Sequence, residues 1–100
     1  DDFLYGNIMN LIEDEDSRTV ELVGTNPTDC LVFKKMEQEI QKNMIILKPQ
    51  FSEVGDCRDI PTEFTLKYDV PFLESHPRGM MLHIRVMGGR SLNYFFKNKI

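Results

Sequence analysis

The chain has 100 residues, of which 41% are apolar and 28% charged, with a formal net charge of −4. That length makes a single domain spanning residues 1–100, able to bury a core without depending on staples. The composition excludes a disordered polymer, and no apolar run approaches the roughly 20 residues of a membrane-spanning helix.

The chain opens on Asp1-Asp2 rather than Met, which reads as a processed product or an excised fragment. Phe3 to Ile12 has the pattern of a first strand, with Leu4, Gly6, Ile8 and Ile12 in one parity class. Gly6 in that class marks a bulge or a close backbone approach. Glu13-Asp14-Glu15-Asp16-Ser17 then reads as a solvated turn; it lacks the spaced ligands and central glycine of a Ca²⁺ loop. Arg18 to Val23 forms a second strand with Val20 and Leu22 facing inward, closed by Gly24.

A helix is expected next, from Pro27 to Lys42. Asn26 stands as its N-cap, Pro27 at the first helical position, and Asp29 in the first turn. Phe33, Met36, Ile40 and Met44 then follow a 3.6-residue period, flanked by polar residues. The competing assignment is a strand beginning at Leu31-Val32-Phe33. From Thr19-Val20-Glu21-Leu22 through this helix, the element order resembles that of ubiquitin-like β-grasp domains. The likeness is one of order, covers less than half the chain and implies no ubiquitin-like function.

Met44 to Leu47 reads as a buried strand ended by Lys48-Pro49, and Ser52 to Ile60 as a loop. Glu63 to Asp69 is a strand with Phe64, Leu66 and Tyr68 facing in. Val70 to Gly79, which contains His76-Pro77-Arg78-Gly79, is a turn-rich connection.

Met80 to Lys97 carries the clearest pattern, an amphipathic β-hairpin. Leu82, Ile84 and Val86 alternate with His83, Arg85 and Met87; after Gly88-Gly89, Leu92, Tyr94 and Phe96 alternate with Asn93, Phe95 and Lys97. A two-residue Gly88-Gly89 loop would pair Met87 with Arg90 and mix the faces. An odd loop, Gly88-Gly89-Arg90, keeps one face apolar and pairs Val86 with Leu92, Ile84 with Tyr94 and Leu82 with Phe96. His83 then sits beside Phe95. The elements together predict an α+β fold, a mostly antiparallel sheet of five or six strands with one packed helix. The alternative is an all-β sandwich with a strand in place of the helix.

Cys30 and Cys57 permit one disulfide or two free thiols. With His76 and His83 they offer four soft ligands, but without a paired ligand knuckle, so no metal or other cofactor is expected. Asn26-Pro27-Thr28 is not a glycosylation acceptor, because proline occupies its middle position. No G-x-S-x-G, H-E-x-x-H, C-x-x-C or G-x-G-x-x-G occurs. Residues 1–16 hold six acidic side chains and no Lys or Arg, whereas residues 76–100 hold Arg78, Arg85, Arg90, Lys97 and Lys99 and no carboxylate side chain.

The outward face of the hairpin is therefore the candidate contact surface: Met81, His83, Arg85, Met87, Phe95 and Lys97, with Arg90 at the tip. Methionine, aromatic and arginine side chains together are enriched at protein interfaces. The expected function is non-enzymatic, a protein–protein interaction module using this face or a sheet edge for strand addition. The alternatives are a basic surface for nucleic acid or anionic lipid, and a small enzyme without a local motif. The sequence does not name the partner protein or the compartment.

Overall fold

The computed structural model describes residues 4–98. Asp1, Asp2 and Phe3, where the expected first strand and acidic segment begin, lie outside them, as do Lys99 and Ile100. The described chain is built from eight strands and one short 3-10 turn: β1 Leu4–Tyr5, β2 Ile8–Glu13, β3 Thr19–Asn26, β4 Leu31–Gln41, β5 Met44–Glu53, β6 Thr62–Asp69, β7 Gly79–Arg85, the turn Met87–Gly89, and β8 Ser91–Lys97. The α+β expectation is overturned, because no α-helix is present among these residues. The likeness to β-grasp order falls with the helix.

The strands form two sheets. In the larger, β5 is flanked by β4 on one side and by β7 and β1 on the other, and β8 continues the sheet beyond β7. The β5–β7 pair is parallel, so the sheet is mixed; its connection runs through β6 in the other sheet. The smaller sheet has the order β2-β3-β6, all antiparallel. One apolar core joins them. Ile45, Leu47, Phe51, Met80, Leu82, Ile84 and Phe96 come from the larger sheet, and Ile8, Val20, Leu22, Leu66 and Tyr68 from the smaller.

The expected first strand is split at Gly6-Asn7. Its start pairs with β5 and its remainder with β3, so the chain changes sheets there. Only glycine fits the crossing, since a Cβ on Gly6 would lie 2.4 Å from the Phe51 ring. Asn7 satisfies the backbone on the far side: its N–H donates to Asn26 Oδ1 at 2.9 Å, and its side-chain amide donates to the Thr25 carbonyl at 2.9 Å. A bulge between Ile8 and Asn10 then reverses the parity. Ile8 is buried, but Ile12 of the same expected class is exposed and Leu11 is half-buried instead.

The helix expected over Pro27–Lys42 is the long strand β4, and the reason is another bulge. Register shifts between Phe33 and Lys35, leaving Lys34 as the extra residue. That extra residue absorbs the three-residue step from Phe33 to Met36, and the step from Met36 to Ile40 is even. An i, i+3, i+7 stripe thereby lies on one face of a strand. The residues that look like a helix cap serve other backbone. Asn26 Oδ1 accepts from Asn7 N, and the Asp29 carboxylate accepts from the N–H groups of Arg58, Asp59 and Ile60. Burial raises the Asp29 pKa, but these backbone donors outweigh it and hold the carboxyl below its ordinary value. Beside it Cys30 and Cys57 are joined in a disulfide.

β5 also runs past Pro49, where a break was expected. Counting from the Gln41–Met44 pair that closes the two-residue turn, Met36–Pro49 is a non-hydrogen-bonded pair. The missing donor of Pro49 therefore points away from β4, into the junction between the segments paired with β7 and with β1. Its carbonyl, on the same side, accepts from Gly6 N at 3.4 Å.

Candidate functional site

The hairpin has the parity its alternation requires and a register two residues from the expected one. Ile84 pairs with Leu92, Leu82 with Tyr94 and Met80 with Phe96. The loop runs over residues 86–90, with Gly88 and Gly89 at φ +79° and +73° and Val86 N donating to the Arg90 carbonyl at 3.1 Å. Inward residues still meet inward residues, so the second face stays separate. His83 faces Asn93, not Phe95, and its Nδ1 lies 2.7 Å from Asn93 Oδ1.

The outward residues do not form one site. Met87 and Arg90 lie at the tip, where Met87 N donates to the Gly6 carbonyl and Arg90 Nη2 donates to Asn7 Oδ1 at 2.7 Å. Arg85 is exposed opposite Ser91, at the last strand pair before the loop. At the other end Met81 pairs directly with Phe95, which is 50% exposed, and Lys97 pairs with Gly79.

That end is concave. A cleft of about 450 Å³ elsewhere is lined by Glu13, Asp14, Glu21 and Asp69 with Lys67, but the one beside Phe95 has the opposite character. It is about 400 Å³ in volume, and Asn43, His76, Arg78, Gly79, Met81 and Phe95 form most of its wall. A second hollow continues past Arg78 and Phe95 to Lys97 and Asn98. Among the described residues neither wall contains a carboxylate side chain. The alternation puts Met81, Phe95 and Lys97 on this face, whereas the 75–79 segment has the composition of a connection. Its only early signal was a cation, Arg78, set in a Pro-Gly turn leading directly into a strand.

The cleft wall is held by groups far away in sequence. Arg18 leaves the acidic turn and spans the end of the molecule. Its Nε donates to the Val70 carbonyl at 2.9 Å, Nη2 to the Pro71 carbonyl at 2.9 Å and Nη1 to Asn98 Oδ1 at 2.7 Å. Its guanidinium lies 5.0 Å from the Phe96 ring centre and 5.6 Å from that of Phe72, within cation–π range. Buried Asn98 passes the linkage on, donating to the Pro77 carbonyl at 2.7 Å and the His76 carbonyl at 3.2 Å. Gly79, at φ +143°, lets this wall turn into β7: a Cβ there would sit 2.1 Å from the Phe96 carbonyl oxygen and 3.1 Å from the Phe95 ring. Phe95 is thus seated over bare backbone.

A four-ligand zinc set and a Cys-His nucleophile pair both need thiolates, and the two cysteines are bonded to each other. His83 is engaged by Asn93 on the sheet face, and His76 by Ser75 Oγ at 2.9 Å. Neither hollow beside Phe95 gathers His83, a cysteine and a carboxylate. Among the described residues no helix is long and apolar enough to cross a membrane. No protein-family model, curated protein or solved structure matches the chain.

Proposed function

We propose that this domain is a non-enzymatic protein-interaction module that takes an acidic segment with one apolar anchor into the cleft beside Phe95. The observation that supports this reading is a half-exposed aromatic ring, paired with Met81, above a hollow whose one charged wall residue among those described is Arg78, with Lys97 in the adjoining hollow, on a chain of net charge −4. An apolar side chain entering the hollow removes the Phe95 ring from water, which is where interface energy concentrates. Arg78 and Lys97 on the rim select flanking carboxylates and speed encounter. The same cations serve the second reading, a phosphate-rich partner, which the exposed Arg85 extends along the face.

The test is selection from a displayed random peptide library on the wild-type domain, with counter-selection on a Phe95→Ala/Arg78→Glu variant. The expected result is enrichment of peptides with a Leu, Met or aromatic residue between Asp or Glu neighbours, lost on the double variant. Binding that falls only moderately with salt fits this reading, and a steep loss fits phosphate contacts. Enrichment that survives the double variant contradicts both.

A further inference from the structure

We propose that β4 is the interface of a symmetric homodimer, in which two copies join their larger sheets edge to edge in antiparallel sense. β4 is the longest strand, 11 residues, and among the described residues it pairs only with β5. Its other edge is open. Continuing the alternation from the Gln41–Met44 pair, the backbone N–H and C=O groups of Met36, Gln38 and Ile40 point to that open edge. Val32, Phe33 and Ile40 beside them are 48%, 41% and 44% exposed. An edge that long, carrying exposed apolar residues, is a template for another strand.

Lysines on an edge ordinarily block such pairing. Here the order of charges removes the block for one partner alone. Lys34-Lys35 precede Met36, and Glu37 and Glu39 follow it. An antiparallel copy centred on Met36 sets Lys35 opposite the second copy's Glu37, and Glu37 opposite its Lys35. Both residues lie on the outer face, where Lys35 Nζ is already 3.9 Å from Glu37 Oε2 of the same strand. A parallel copy would set Lys35 against Lys35 and is excluded by repulsion. The charge sequence is therefore self-complementary in one sense only, as an isologous two-fold contact requires. Beyond the two ion pairs, the exposed Val32 and Phe33 of each copy approach the Ile40 end of the other. This contact uses an edge that the Phe95 cleft does not touch.

The experiment is sedimentation equilibrium at high micromolar concentration on the wild type, Lys35→Glu and Lys35→Glu/Glu37→Lys. The wild type is expected at twice the 11.7 kDa chain mass. Lys35→Glu opposes two carboxylates at two places in the dimer and should weaken it by about tenfold or more. The charge-reversed pair should restore it, and that recovery also shows that the altered strand still folds. A wild type that stays at one chain mass, a dimer indifferent to Lys35→Glu, or a double variant that fails to recover overturns the proposal. So does growth into open, larger assemblies.

Discussion

Removing the Cys30–Cys57 bond tests how the long β4–β5 arm is held at its open end. The two cysteines are 27 residues apart, and almost the whole arm lies between them. In the loop-entropy treatment, closing a loop of that length restricts the unfolded chain by about 3.5 kcal/mol at room temperature. Domains of this size have roughly 5–15 kcal/mol in total, so the bond carries a large share. Other contacts close the same end: Val54 N donates to the Cys30 carbonyl at 2.8 Å, and Asp29 gathers the backbone of residues 58–60. These are non-covalent and are lost with the fold, whereas the covalent loop persists in the unfolded state. The assay is urea unfolding of the oxidised wild type beside a Cys30→Ala/Cys57→Ala variant. With ordinary denaturant dependence, the midpoint should fall by about 1–3 M. An unchanged midpoint would refute the reasoning and place the closure in the Asp29 contacts alone.

The two hairpin faces should respond oppositely to truncation. Ile84→Ala, at a fully buried position, should cost about 2–5 kcal/mol in thermal or urea unfolding, whereas Phe95→Ala and Arg85→Glu should leave stability within about 0.5 kcal/mol of wild type. Tyr68 donates to Gln38 Oε1, and burial raises its pKa from 10.0 to about 12. Because the folded value is the higher one, its contribution is full below pH 10 and lost as pH rises to 12. Discounted for partial solvent access, that is about 1–2 kcal/mol, and Tyr68→Phe should flatten this alkaline limb. Arg18→Ala removes three charge-assisted hydrogen bonds and should destabilise by about 2–4 kcal/mol. It should also raise amide exchange across residues 75–79, which a loss confined to Arg18's own turn would not do.

What could be read from sequence follows from how local each feature is. The hairpin parity was legible because Leu82, Ile84, Leu92, Tyr94 and Phe96 repeat at period two, and alternation survives a register shift of two residues. The register itself was not, because Val86 and Arg90 close a loop longer than the two glycines suggest. β6 was legible on the same ground as the hairpin. β4 was misread because a single bulge residue, Lys34, makes a strand carry a helical spacing. Its apparent cap residues are polar groups serving distant backbone, Asn26 for Asn7 and Asp29 for Arg58. The sheet change at Gly6-Asn7 left one trace, a glycine within an apolar parity class. Of the candidate face, Met81, Phe95 and Lys97 converge as their alternation implied. Arg18, which reaches Asn98 from 80 positions away, and Asn98, which holds the Pro77 carbonyl from 21 positions away, had no signal a single sequence could carry.

We propose the hollow beside Phe95 as a contact surface for an acidic, apolar-anchored segment. Its most direct test is an amide chemical-shift map while a short peptide, one Phe between Asp residues, is titrated onto the domain. The largest shifts should fall at Asn43, His76, Arg78, Gly79, Met81 and Phe95 and vanish in Phe95→Ala. Shifts centred instead on the acidic cleft around Glu13 and Asp69, or on β4, would contradict it.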